Sequence, residues 1–124
     1  MPQTDVIFFC DEDGAVPVLK WLDELHSSDR RAYNKCLAAI ERLAQFGHEL
    51  RQPTADLLRD GIYELSSRVG HVNYRLLYFF HGRNIAVLAH GLTKERTIPY
   101  SDLELAIRRK NRFEAVPEKH MHRE

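Results

Sequence analysis

Apolar positions along the chain change their period several times, and each change marks an element. The run Val6-Ile7-Phe8-Phe9 within Asp5 to Cys10 is β-rich, and "DEDGAVP" closes it as a turn punctuated by Gly14 and Pro17. From Val18 the spacing becomes helical: Val18, Leu22 and Leu25, with Trp21 beside them, predict a first helix that "HSSD" interrupts. Ser28 or Asp29 can cap a second helix, in which Tyr33, Cys36/Leu37, Ile40 and Leu43/Ala44 hold a helical period until Gly47 stops it.

Residues 48–61 are polar and punctuated by Pro53, so they predict a connection. The stretches 62–69, 73–80 and 85–91 are β-rich, separated by Gly70-His71 and His81-Gly82-Arg83-Asn84, and predict a three-stranded antiparallel meander. Pro99 suits the first turn of a helix and Ser101-x-x-Glu104 a capping box, before Leu103, Ala106, Ile107 and Phe113 form a last amphipathic stripe.

The predicted order is β-α-α-β-β-β-α. Neither the helix pair nor the sheet has apolar surface enough to stand alone, so the expectation is an α+β domain with two N-terminal helices packed on a twisted antiparallel sheet. One domain over residues 1–117 and a polar tail over 118–124 account for the 124 residues.

Composition changes this picture little. Charged residues make up 29% and apolar ones 44%, an ordinary globular balance. The apolar run at residues 6–10 follows Asp5 rather than a basic segment and is too short for a signal peptide or a membrane span, so no membrane and a cytoplasmic location are expected. Cys10 and Cys36 lie far apart with no CxxC, which in that compartment predicts reduced thiols.

Net charge is zero, but unevenly distributed: residues 1–61 hold 7 Lys/Arg against 11 Asp/Glu, and residues 62–124 hold 11 against 7. Positive charge therefore gathers in the β-rich half, which suits an anionic partner.

Several chemistries lack support. The seven histidines form no HExxH and no helical HxxxH pair, and the close pair His120-x-His122 falls in the tail, so neither a metal site nor a cofactor is expected. Phosphate-loop, dinucleotide and Gly-x-Ser-x-Gly motifs are absent.

What remains is a set of cations on the sheet and just past it: Arg68, Arg75, His90, Lys94 and Arg96. Attack of an RNA 2′-OH on its own phosphate needs no metal, only donors that hold the phosphate, stabilise added negative charge and move two protons. Each residue also has a plainer reading. Arg68 and Arg75 can be solvated or ion-paired strand residues, with Glu64 a cross-strand neighbour; His90, alternating with Ala86 and Leu88, can be a hydrogen-bonded histidine at the core edge. Strand tyrosines are usually packing residues, though one on an open face can stack on a base.

The pattern "DGIYELSSR", "VNYRLLYFFHGRNIAVLAHGLTKE", Pro99 and "ELAIRRKNRF" resembles the phage-derived HigB branch of the RelE/ParE toxin superfamily, over about residues 5–120 and most closely over 60–115. The resemblance implies a RelE-like fold and a type II toxin: a ribosome-dependent mRNA interferase, an RNA-binding endoribonuclease and hydrolase. It also implies neutralisation by a HigA-like helix-turn-helix antitoxin, with operator DNA bound only through the complex.

Carried over by residue, Arg75 after Tyr74 matches the family's strand arginine, His90 and Lys94 match its "HG...K" segment, and Arg68 a more variable basic position. The expected catalytic set is thus Arg75, Lys94, His90 and Arg68, with Arg96 and Tyr78 as RNA contacts. One departure stands out: Glu64-Leu65-Ser66 replaces the usual Glu-Leu-Arg, and a serine supplies no cationic clamp, so either Arg68 substitutes or activity is reduced. ParE-like members share the fold yet act on gyrase through protein contacts, so a non-catalytic binding module, or a decayed toxin that persists as an antitoxin-binding co-repressor, is the alternative.

Overall fold

A computed structural model describes residues 3–94 and 97–124, excluding the side chain of Lys94. Its elements are β1 (Asp5–Phe9), α1 (Pro17–Ser28), α2 (Arg30–Phe46), β2 (Ala55–Arg59), β3 (Ile62–Val69), β4 (Val72–His81), β5 (Ile85–Lys94), α3 (Tyr100–Ala115) and β6 (Met121–His122), with single 3-10 turns at Gly47–Glu49 and Pro117–Lys119. The fold is α+β and consistent with a RelE-like architecture, built on a six-stranded sheet in the order β2-β3-β4-β5-β1-β6.

The two N-terminal helices cover one face. Val18, Leu22 and Leu25 of α1 and Ala32, Cys36, Ala39 and Leu43 of α2 bury against Phe8, Leu65, Tyr74, Leu76, Tyr78, Ala86 and Leu88. On the opposite face α3 seats Ala106 and Phe113 against Ile7, Phe9, Ile62, Leu77, Phe79 and Val87. Alternate residues of each central strand feed the two cores, which is why these strands read as near-continuous apolar runs.

Local chemistry sets the helix ends. Asp29 Oδ1 accepts the Ala32 amide at 3.1 Å and starts α2, and Gly47 ends it at a φ of +53°. A Cβ on Gly47 would collide with Thr4 Oγ1, so glycine is required there twice over.

Four expectations need correction. The sheet is mixed, because β1 runs parallel to β5 rather than antiparallel. Residues 55–59, expected as connection, form the edge strand β2; its exposed Asp56, Leu57 and Arg59 hide the alternation that a half-buried strand shows. The 118–124 segment carries β6, antiparallel to β1, and His120 is 2% exposed, stacked on Phe9 with its Nδ1 2.7 Å from the Cys10 carbonyl oxygen. Finally, the Ser101-x-x-Glu104 box does not form: Pro99 occupies the N-cap of α3, no side chain caps it, and Glu104 accepts from Arg59 at 2.7 Å instead.

A bulge in β5 positions the site. Leu77 pairs with His90 but Tyr78 with Leu88, so Ala89 is an extra residue. Uninterrupted alternation would set His90 on the α1/α2 face beside Ala86 and Leu88. The bulge resets the phase, turning His90 towards α3 and Gly91 towards α1, where a Cβ would lie 2.5 Å from Trp21 Cδ2.

Candidate functional site

Three register rows cross β3, β4 and β5 at one end of the sheet: Glu64–Leu77–His90, Ser66–Arg75–Leu92 and Arg68–Asn73–Lys94. Strands lie about 4.8 Å apart, so each row spans about 10 Å. Four of the six residues singled out from sequence, Arg68, Arg75, His90 and Lys94, fall in these rows.

Arg75 is held by a carboxylate. Its Nη1 donates to Glu64 Oε1 at 2.8 Å and Oε2 at 3.0 Å, and Ser66 Oγ donates to the same Oε1 at 2.8 Å. The Arg75 and Glu64 side chains are 16% and 12% exposed, so this is a partly desolvated pair. The plainer reading of Arg75, an ion-paired strand residue, describes this conformation. Ser66, standing where the resembled family has arginine, adds a hydroxyl donor to the carboxylate and no charge.

His90 is likewise engaged. Its Nε2 lies 2.6 Å from Asp102 Oδ1 on α3, and its Nδ1 lies 3.4 Å from Arg109 Nη1. A guanidinium only donates, so Nδ1 is the acceptor and Nε2–H faces the carboxylate. Arg109 Nη1 also donates to the Ala89 carbonyl at 2.7 Å, satisfying the bulge residue, and its Cζ lies 5.8 Å from the Phe9 ring centroid. Burial lowers the Arg109 pKa, and Asp11 partly restores it. The expectation that His90 is a proton-transfer group meets a geometric obstacle, since both ring nitrogens already face protein partners.

Arg68 is exposed; its Nε donates to Gly70 O at 2.9 Å, and Lys35 Nζ donates to its carbonyl at 3.0 Å. It borders a shallow cleft of about 260 Å³ with Pro53, Thr54, Ser66, Ser67 and Asn73. Lys94 takes its place through backbone register alone, and Arg96 lies outside the described residues.

Tyr78 is corrected outright. It is 1% exposed, inside the α1/α2 core, with Tyr63 stacked on it at a centroid distance of 5.4 Å. Burial, first, and the neighbouring Tyr63 push its hydroxyl pKa well up, while Arg51 pulls it down. A ring enclosed in this way has no face for a base.

Sequence reasoning missed Asp102 and Arg109. Both stand on the α3 stripe that carries Ala106 and Phe113, and charges inside an apolar helical stripe are the signal that points to such a buried polar contact. No group of three or more His, Cys, Asp or Glu among the described residues is arranged to hold a metal ion, and no described helix is long and apolar enough to cross a membrane.

No curated protein matches the chain. The profile of a phage-derived family, "Phage derived protein Gp49-like (DUF891)", matches residues 20–111, which run from α1 to the middle of α3 and include all three register rows. With most of its length matched, including both helices of one face and four of the six strands, the chain belongs to the phage-derived Gp49-like family.

Proposed function

We propose that this protein is the toxin of a type II toxin–antitoxin pair: a cytoplasmic, ribosome-dependent endoribonuclease that cleaves mRNA without metal and is silenced by a helix-turn-helix antitoxin. The observation that carries this reading is the grouping of Arg68, Arg75, His90 and Lys94 in three adjacent register rows. Association of the Gp49-like family with RelE-type toxins, and the fold itself, support it.

In the reaction the 2′-oxygen bonds to the adjacent phosphorus, the bond to the 5′-oxygen breaks, and a 2′,3′-cyclic phosphate forms. One proton leaves the 2′-OH and one reaches the 5′-oxygen. A phosphate arriving at the middle row competes with Glu64 for Arg75 Nη1 and takes over its charge-assisted hydrogen bonds. Lys94 stabilises the added negative charge, and Arg68 holds a flanking phosphate. His90 transfers a proton only once Asp102 releases Nε2; until then it ties β5 to α3.

The test is expression of the chain alone, with 5′ ends of cellular mRNA mapped within minutes of induction. Codon-phased cuts inside translated regions are expected. Growth arrest with intact mRNA would overturn the nuclease in favour of a protein target.

A second reading, a binding module of the same fold without catalysis, has its own observation. Both the leading arginine and the leading histidine already have carboxylate partners, and Ser66 supplies no replacement cation. It predicts no cleavage and no growth arrest, with antitoxin binding intact.

A further inference from the structure

A cleft lies on the other face of the sheet, beside the edge strand β2. It encloses about 530 Å³ and is lined by His48, Leu50, Arg51, Gln52, Ala55, Asp56, Leu57 and Tyr63. We propose that this cleft takes one nucleotide of a single-stranded RNA, its base against Tyr63 and His48 and its phosphate at Arg51. This rests on the RNA reading above and adds a second contact to it.

Three observations carry the assignment. First, the aromatic walls are braced. Tyr63 has one face on Tyr78 at 21° and its ring against Phe80 at 79°, while His48 stacks on the same Phe80 at 3.6 Å. Rings fixed by a shared aromatic floor lose little freedom when a base lands on them, and every base has a π-face to offer.

Second, the cation is pre-positioned. Arg51 Nη1 donates to the carbonyls of His48 at 2.6 Å and Leu50 at 3.2 Å, which fixes the guanidinium at the rim. It forms no ion pair among the described residues, and so can meet a phosphate with its other N–H groups. Third, Asp56 and Gln52 stand at the mouth, exposed, and offer an acceptor and an amide to the edge of a base.

The topology makes both contacts reachable by one strand. Tyr63 and Glu64 are successive residues of β3 and project to opposite faces, and β2 is the edge of the sheet. A flexible strand bound at the Arg75 row passes round that edge to the cleft.

The experiment uses a fluorescein-labelled 12-nucleotide RNA of mixed sequence, a same-length abasic ribose-phosphate strand, and nucleoside 5′-monophosphates, each titrated against the whole protein. The RNA is expected to bind more tightly than the abasic strand. Tyr63→Leu is expected to weaken RNA by about tenfold, as for loss of one stacked base, and to leave abasic binding unchanged. Arg51→Gln, at an exposed residue, is expected to weaken both.

Equal affinity for RNA and abasic strand, or RNA binding indifferent to Tyr63→Leu and Arg51→Gln but lost when Arg75→Met is combined with Glu64→Leu, overturns the cleft while leaving the nuclease standing. Monophosphates that saturate the cleft while RNA fails to compete overturn the RNA assignment and make it a free-nucleotide site. Absence of mRNA cleavage in the parent protein, with base-dependent RNA binding preserved, overturns the nuclease instead and leaves the cleft.

Discussion

Arg75 presents the sharpest test, because one side chain is asked both to hold the sheet and to bind phosphate. Its guanidinium meets Glu64 at 2.8 and 3.0 Å, with the two side chains 16% and 12% exposed. Truncating one partner of a fully buried pair costs about 3–5 kcal/mol, since the other charge is left desolvated. The residual exposure lowers this to about 2–3 kcal/mol for either Arg75→Met or Glu64→Leu.

Replacing both removes both charges, and apolar pairs of similar volume are close to neutral in such sites, so the double variant should cost no more than about 1 kcal/mol. The implied coupling is about 3–6 kcal/mol in the pair's favour. For 124 residues, an unfolding entropy of about 2.1 cal/mol/K per residue gives about 0.26 kcal/mol/K, so each single variant should lower the Tm by about 8–12 °C and the double by under about 4 °C. Urea denaturation of the four proteins closes the cycle. Single variants costing less than about 0.5 kcal/mol and adding up in the double would refute the reasoning, marking the contact as a solvated surface pair. The double variant is also the proper functional control, being folded yet lacking the arginine, and it should be non-toxic.

Other expectations follow from neighbouring features. Gly91→Ala puts a methyl into the Trp21 indole, at 2.5 Å from Cδ2, and should cost about 1–3 kcal/mol by thermal or chemical denaturation. Burial pushes the Cys36 thiol up to about 11, with a Ser67 hydrogen bond pulling partly back. Its folded pKa is raised above the unfolded value, so this contribution is full below the ordinary thiol range and fades as pH rises towards 11. Relative to Cys36→Ala, the parent should therefore lose stability over that interval, and a thiol reagent at pH 8 should modify Cys36 only on unfolding. Asp29→Ala removes the α2 cap and should cost about 1 kcal/mol. Ser66→Arg puts a second guanidinium beside Glu64, which should raise single-stranded RNA affinity at low salt; unchanged affinity would show that Glu64 does not limit access to Arg75.

Most of the fold was legible because its central elements carry strong periodicity. Val18, Leu22 and Leu25 of α1 and the β3–β5 runs bury the residues their spacing indicates; in α2 Cys36 and Leu43 do so, while Tyr33 and Ile40 are partly buried and Ala32 and Ala39 complete the buried face. Elements at the margin were not. Strand β2 exposes Asp56, Leu57 and Arg59, and β6 is two residues long, so neither offers a pattern to read. The parallel β1–β5 pairing joins residues distant in sequence, and no local signal encodes it.

The candidate site divides in the same way. Arg68, Arg75, His90 and Lys94 were readable as a set of cations and Glu64 as a neighbour of Arg75, but their meeting in adjacent rows was not, because strand register is set by non-local pairing. The partner of His90 was not, because a bulge at Ala89 reverses the parity on which strand reasoning depends. Tyr78 failed as a base platform for a related reason: alternation shows that a residue shares a face, but not which face the helices cover.

The place of β1 has a consequence for how the protein is made. Asp5 to Phe8 pair with Ile85 to Leu88, so β1 waits for a strand made 80 residues later. At about 5–20 residues per second, that interval is about 4–16 s of translation. Through it the strand Val6-Ile7-Phe8-Phe9 lacks its neighbour, and α1 and α2 have only part of the sheet to pack against. The register rows also need β5, so the nascent chain lacks its cationic face until that strand has been made.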